Sequence, residues 1–225
     1  MDMNNVKSIY DNSVGKEVKK IQDSNGNIIW YKVPDGYRKV EYLESSGTQY
    51  IDIQTFIDDE FTIKTDIEYK NTVNDISPFG LLITENGAAG KRFSFFTNLA
   101  SGGGLFVGIG NSSSQTSFSQ YPSLLNVRRR ITGGEYGFSI DGQNFLANNA
   151  DIDWEETFTF RLFGRYSNGT YTKVFKGRIF YFIVPGQFHL IPVVRNTDDK
   201  PGMYDLVNDM FYTNAGTGEF TWGEM

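Results

Sequence analysis

Apolar and polar residues alternate with a period of two in many short stretches of this chain, and helical periodicity is hard to find. The clearest run is Phe61–Tyr69. Phe61, Ile63, Ile67 and Tyr69 fall on one face and Thr62, Lys64, Asp66 and Glu68 on the other, with Thr65 alone interrupting the apolar row. Successive strand side chains point to opposite faces, so the run predicts a half-buried antiparallel strand. Shorter runs at Tyr50–Ile53, Phe79–Thr84, Arg92–Thr97, Gly104–Ile109, Val127–Ile131, Tyr136–Ile140 and Phe158–Phe163 are separated by Asn, Gly and Ser clusters that read as turns. Gly177–Val184 is the longest apolar run, of strand length and rich in β-branched and aromatic residues, which predicts a central strand buried on both faces. Short strands with regular turn signals predict an all-β antiparallel two-sheet sandwich. No internal repeat suggests a propeller or solenoid.

Residues 1–33 differ in character. Lys16–Ile21 and Ile28–Tyr31 flank Asn25-Gly26, a pair suited to the positive-φ positions of a tight turn, so the segment reads as a hairpin. An isolated hairpin is marginal in water, and Val18, Ile21, Ile28, Ile29 and Trp30 need cover. They either close one end of the main domain or dock on another subunit. Pro34-Asp35-Gly36 marks the boundary between this docking or oligomerisation leader, 1–33, and a sandwich domain, 34–225.

Composition narrows the function classes. The 225 residues include 19 Phe, 13 Tyr and 24 Gly, an inventory of strands and turns. With no cysteine there are no disulfides, thiolate metal sites or Cys nucleophiles, and a single histidine, His189, excludes a multi-histidine metal site. The net charge of -6 argues against nucleic-acid binding, which depends on cations neutralising phosphates. No apolar run approaches the roughly 20 residues of a membrane helix, and Met1–Tyr10 lacks the apolar core of a Sec signal peptide.

Two motifs carry a resemblance. Tyr37–Asp52 (YRKVEYLESSGTQYID) resembles the opening of a set of lectin-like domains, and Gly202–Asn208, Phe211–Gly218 and Phe220 resemble their closing signature. Between them, Phe138–Gly142 and Phe175–Phe180 are similar to strands of the concanavalin A-like (laminin G-like) jelly roll. Such domains occur in tail and other virion proteins of phages and prophages, and the Asn-Gly turn followed by Ile28-Ile29-Trp30 resembles their short leader. The resemblance spans about Tyr37 to Gly223 and implies a jelly-roll sandwich whose chain ends lie side by side, with Glu44–Asp52 beside Phe211–Phe220. It also implies a virion protein, assembled in the bacterial cytoplasm, whose partners are other virion proteins through the leader and bacterial surface polysaccharide. By analogy with virion appendages it is a homo-oligomer, a trimer or a ring. The fold hosts lectins, hydrolases and structural modules alike, so it carries no activity by itself.

Candidate chemistry is sparse. Sugar binding uses flat rings with amide and carboxylate partners, and the loops offer Tyr121, Asn148, Asn149, Trp154, Tyr166, Asn168 and Tyr171. In Asp151–Glu156, Asp151, Asp153 and Glu155 would share a strand face, faintly like the carboxylate strand of laminarinase-type hydrolases. The alternative is an exposed connection with Trp154 tucked under the sandwich. No Gly-x-Ser-x-Gly turn accompanies His189, which reads as structural. No cofactor is expected, although a calcium ion could use Asp198, Asp199, Asp205, Asn208 and Asp209. Ser101–Gly104 with Gly108 and Gly110 reads as a flexible hairpin in place of a phosphate cradle, because no Lys-Ser/Thr follows it. Arg128 and Arg130 would share one strand face and could grip a carboxylate or phosphate, or else be balanced by local Asp and Glu. Three functions follow: a glycan-binding virion protein, a capsid, head-fibre or baseplate decoration protein with protein partners alone, and a glycoside hydrolase.

Overall fold

The computed structural model describes residues 9–11, 16–24, 28–71, 76–83, 90–97, 104–111, 115–147 and 152–225. The leader contains β1 (Ile9–Asp11), β2 (Lys16–Val18), β3 (Lys20–Gln22) and β4 (Ile28–Tyr31). Then come β5 (Tyr37–Lys39), β6 (Tyr42–Ser46), β7 (Ile51–Ile57), β8 (Ile63–Tyr69), β9 (Ile76–Leu82), β10 (Lys91–Thr97), β11 (Leu105–Asn111) and β12 (Thr116–Phe118). The second half adds β13 (Arg129–Gly134), β14 (Gly137–Ile140), β15 (Gln143–Leu146), β16 (Glu156–Leu162), β17 (Arg165–Ser167) and β18 (Thr170–Thr172). It ends with β19 (Lys176–Val184), β20 (Phe188–Arg195), β21 (Lys200–Asp205), β22 (Met210–Thr213) and β23 (Thr221–Gly223). The described residues contain no helix, as the period-two patterning predicts.

Two sheets form the body. The smaller runs β12-β11-β10-β9-β16-β7, with β17 beside β9 and β18 beside β17. The larger runs β15-β14-β13-β8-β19-β20-β21-β22, with β5 on β20, β6 on β19 and β23 on β6. Phenyl rings join them. Phe79 of the smaller sheet lies 5.8 Å from both Phe138 and Phe182 of the larger, and Phe93 and Phe95 lie 5.3 Å and 5.5 Å from Phe138. Such tilted and edge-on ring pairs are favoured over face-to-face ones because the positive ring edge meets the negative face. The result is an antiparallel β-sandwich with one continuous apolar core.

The chain ends meet as the closing motif implies. Strand β23 pairs with β6 through Thr221↔Glu44, Trp222↔Leu43 and Gly223↔Tyr42. The Ala215 and Thr217 amides donate to the Tyr50 and Thr48 carbonyls at 2.8 Å and 3.1 Å, and Tyr50 N donates to Asn214 Oδ1 at 3.0 Å. Opposite β16, the other margin of β7 is covered from outside the sheet. The Gln187 amide accepts from Phe56 N at 3.0 Å and donates to Phe56 O at 2.8 Å, standing in for a strand.

The leader hairpin β3–β4 folds against this body, while its Asn25-Gly26 turn lies outside the described residues. Ile28 and Tyr31 pack on a second apolar cluster of Ile191, Val193, Tyr204 and Leu206, and Lys20 Nζ donates to Leu206 O at 2.8 Å. Of the docking residues, Trp30 is buried, Val18, Ile21 and Ile28 are half-buried, and Ile29 is 56% exposed.

Strand starts differ slightly from the sequence pattern. Strand β8 begins at Ile63 and not Phe61, and β14 at Gly137 and not Tyr136, which sits in the preceding turn. The half-buried expectation for β8 also needs correction, because Asp66 and Glu68 on its polar face are buried beneath ion pairs. Phe138 meets three rings from two strands of the facing sheet, so Phe138→Ala should lower unfolding free energy by about 3–5 kcal/mol. Urea denaturation that shows a midpoint shift at unchanged m-value checks it.

Candidate functional site

The outer face of the larger sheet holds the candidate site, and a bulge shapes it. Strand β19 pairs with β8 in register up to Ile179↔Ile67 and resumes at Tyr181↔Asp66, so one residue is extra. Ile179 and Phe182 point into the core, which leaves both Phe180 and Tyr181 on the outside. Tyr181 OH donates to Asp66 Oδ1 at 2.7 Å. Arg128 Nε and Nη2 reach Asp66 Oδ2 at 3.0 Å and 2.8 Å, and Arg130 Nε approaches Oδ1 at 3.4 Å. Arg128 and Arg130 therefore do share a face and do grip a carboxylate, and that carboxylate belongs to the neighbouring strand. Burial first, and then the Asp66 carboxylate that its proton serves, push the Tyr181 hydroxyl up to about 12.

A second network lies beside the first. Arg178 donates to Glu44 Oε2 at 2.6 Å and to Glu68 Oε2 at 3.3 Å, while Lys70 pairs with Glu68. Its guanidinium sits 4.0 Å above the Tyr42 ring, as that of Arg128 sits 4.0 Å above Phe180. Two carboxylates buried on the outer face are thus each met by two or more donors, the condition under which burying them is tolerable.

Around these networks the face is hollowed into three adjoining recesses, all of which Lys64 lines. The first, of about 480 Å³, lies over β13–β15 and includes Asp59, Glu60, Thr132, Glu135, Tyr136, Ser139, Asn144 and Leu146. Tyr136 occupies a two-residue turn between Gly134 and Gly137 and is 65% exposed. Gly137 has φ +139, and a Cβ there would stand 2.3 Å from Phe145 O, so only glycine lets the hairpin close tightly enough to lift Tyr136 outward. The second recess, of about 380 Å³, runs between Arg128 and the leader hairpin, where Tyr31, Lys39, Tyr181, Ile183, His189 and Ile191 line it. The third, of about 130 Å³, continues under Ile28 toward Phe188 and Val207. Together they form an open trough that is acidic at the Tyr136 end and basic at the hairpin end.

The sugar-site residues expected from the sequence are scattered. Trp154 is buried against Phe158 at 5.7 Å, and Tyr121 and Tyr166 lean on the core from partly buried positions. Asn168 is exposed in the β17–β18 turn, where Tyr171 contributes backbone pairing; the Tyr171 side chain and residues Asn148 and Asn149 lie outside the described residues. Asp151 does too, and 152–155 is not strand: Ile152 and Trp154 fill the core while Asp153 and Glu155 are exposed. That matches the exposed-connection alternative. Among the proposed calcium ligands, Asp198 is held by Arg195, Asp199 by Arg38, and Asp205 accepts from the His189 and Val207 amides, each at 3.0 Å. No group of three His, Asp or Glu among the described residues is placed to hold a metal ion. Gly108 and Gly110 lie within β11, and Ser101–Gly103 lie outside the described residues.

Lys39, Lys64 and Tyr136 were missed by sequence reasoning. Tyr136 carried one usable signal, glycines on both sides, which marks a turn tip and not a strand start.

No protein-family model and no curated protein matches the chain. Among solved structures, a proposed carbohydrate-binding protein from Bacteroides ovatus superposes on 90% of this chain with a TM-score of 0.53 at 14% identity, and the chain spans 64% of that structure. A NanB sialidase variant from Streptococcus pneumoniae aligns over 84% of the chain and 39% of its own, with a TM-score of 0.44 and 10% identity. The first likeness establishes a shared β-sandwich fold.

His189 lies between the hairpin and the body, 5.9 Å from the Tyr31 ring, and burial, aided by Lys39, holds it down to about 4. Its folded pKa is below the unfolded value, so the unfolded chain binds the extra proton first and stability falls as pH drops from about 6.5 toward 4. His189→Gln should flatten that fall, by an amount on the order of 2–3 kcal/mol, in urea denaturation series at about pH 7 and pH 4.5. Equal slopes in both proteins contradict it.

Proposed function

We propose that this chain is a lectin-like module of a bacteriophage virion, tail- or appendage-associated, that binds host-surface glycan without covalent chemistry. The observation that carries the saccharide part is the first recess. An exposed tyrosine ring stands beside the hydroxyls of Thr132 and Ser139, the amide of Asn144 and the carboxylates of Asp59, Glu60 and Glu135. A ring offers an apolar platform to the C–H face of a pyranose, and hydroxyl, amide and carboxylate groups satisfy its hydroxyls. The sandwich shared with a protein thought to bind carbohydrate adds to this reading. The virion setting rests on the opening motif Tyr37–Asp52, the closing motif Gly202–Phe220 and the hairpin leader. In that setting the protein is assembled in the bacterial cytoplasm as a trimer or ring, and repeated copies raise a weak single-site affinity by orders of magnitude.

One observation favours the second reading, a head-fibre or baseplate decoration protein with protein partners alone: Ile29 is exposed on the outer side of the hairpin. A partner strand or apolar pocket would cover it. Hydrolysis needs two carboxylates about 5–5.5 Å apart in a retaining site, and the exposed Asp153 and Glu155 flank a buried Trp154 on a non-strand connection.

A glycan array probed with the full chain tests the saccharide reading. Tyr136→Ala and Asn144→Ala should each weaken retained signals by about tenfold, the ~1.4 kcal/mol of one lost stacking or hydrogen-bond contact, while Ile29→Asp leaves them unchanged. Binding that ignores both substitutions removes the first recess from the account, and an array blank under multivalent display removes the lectin reading.

A further inference from the structure

The second recess differs from the first in the sign of its charge. Lys39, Lys64 and Arg128 line it together with Glu41 and Met225, in a protein whose net charge is -6. Arg128 is committed to Asp66 and lies only loosely beside Glu41, at 3.9 Å. Lys39 places its ammonium 5.0 Å from the Tyr31 ring centroid, and no ion pair holds either Lys39 or Lys64 among the described residues. Four other cations of this face are paired: Arg128 and Arg130 with Asp66, Arg178 with Glu44 and Glu68, and Lys70 with Glu68. Two lysines with no ion pair among the described residues therefore line one recess of about 380 Å³, beside Glu41 and walled by Tyr31, Phe180 and Tyr181.

We infer that this recess binds the acidic group of an anionic saccharide, a sugar carrying a carboxylate or a phosphate, with Lys39 and Lys64 as its counter-charges. The inference rests on the saccharide reading above and adds a substrate class and a direction to it. The trough is polar along its length, with Asp59, Glu60 and Glu135 at the Tyr136 end, Lys39 at the hairpin end and Lys64 between them. An acidic sugar is attracted to the hairpin end and repelled from the other, so an oligosaccharide with one charged residue lies in a single orientation. The Tyr31 ring, 5.0 Å from the Lys39 ammonium, takes the place of part of its water, which strengthens a charge-assisted hydrogen bond relative to one on an open surface. Lys64 lines both recesses and is the residue through which charge selection and neutral sugar contacts meet.

The test is calorimetric titration of the full chain with three probes: trigalacturonate, a short glycerol-phosphate polymer and neutral maltotriose. At low ionic strength one or both anionic probes should bind at least about tenfold more tightly than maltotriose, and about 1 M salt should erase the difference. Lys64→Ala and Lys39→Ala should each weaken the anionic probe by roughly tenfold, and Lys64→Arg should retain most of the binding. The trigalacturonate and glycerol-phosphate arms separate a carboxylate ligand from a phosphate one. Both lysines reach solvent, and circular dichroism of the variants confirms the fold. Anionic binding that survives both alanine substitutions, or a preference for maltotriose, overturns the charge assignment while leaving the lectin reading intact. Absence of binding by all three probes, together with a blank glycan array, overturns both.

Discussion

The space between the two sheets is closed by interlocked phenyl rings, and the shape of the outer surface follows from how they fit. Phe79, Phe93, Phe95 and Phe160 of the smaller sheet meet Phe138 and Phe182 of the larger at centroid separations of 5.3–5.8 Å. Rings pack in few ways at these distances, so each fixes the register of its strand. The effect reaches the surface at Gly133, where a Cβ would stand 2.0 Å from the Phe138 ring. Only glycine leaves room for Phe138 to reach the core from the adjacent strand. The hairpin that contains it is glycine-rich for that reason, and its tip presents Tyr136 to solvent.

The outer face obeys a different rule, that a charge taken out of water must be met by opposite charge and hydrogen bonds. The bulge at Phe180–Tyr181 makes this possible by placing two consecutive aromatic residues on one side. Tyr181 then donates to Asp66, while Phe180 offers Arg128 a ring 4.0 Å below its guanidinium. Without the extra residue one of the two would point into the core, and Asp66 would lose a donor or Arg128 its platform. Lys39 and Lys64 have no ion pair among the described residues, and it is on this difference that the inference of an anionic ligand rests.

Fold class was legible in the sequence because period-two alternation reports directly on strands, and aromatic residues with glycine turns report on a sandwich. The hairpin was legible from Lys16–Tyr31, and the meeting of the chain ends from the motifs at Tyr37–Asp52 and Gly202–Phe220. The site was less so. Trp154, Tyr121 and Tyr166 looked like sugar platforms because rings in loops resemble rings on surfaces, yet a core built from phenyl groups recruits loop aromatics as well. Trp154 is covered by Phe158, and Tyr166 stands 5.4 Å from the Arg161 guanidinium. Lys39 and Lys64 carried no local signal, because they are 25 residues apart in sequence on strands that are not neighbours in the sheet. Only the path of the sheet, with the hairpin laid across it, brings them to one recess. Arg128 and Arg130 were read as a carboxylate grip on residue spacing alone; their partner Asp66 required the β13–β8 register.

The leader's position ties the trough to whatever the hairpin touches. Tyr31 on β4 is a wall of the basic recess and meets His189, while Ile28 on the same strand lies over the smallest recess. Ile29, between them, faces away from the body. A four-residue strand cannot shift one of these side chains without shifting the others, since its backbone is held to β3 by the ladder and to the body by Lys20 on Leu206. Contact with a partner at Ile29 would therefore bear on the same rigid element that bounds the recess. Holding that element still lowers the ordering cost that a ligand meets on entering a shallow, open trough. In an assembly, the same contact would set the spacing between copies, on which avidity depends as strongly as on any single contact. The hairpin and the sandwich would then act as one unit, across the Pro34-Asp35-Gly36 turn at which the sequence suggests a boundary.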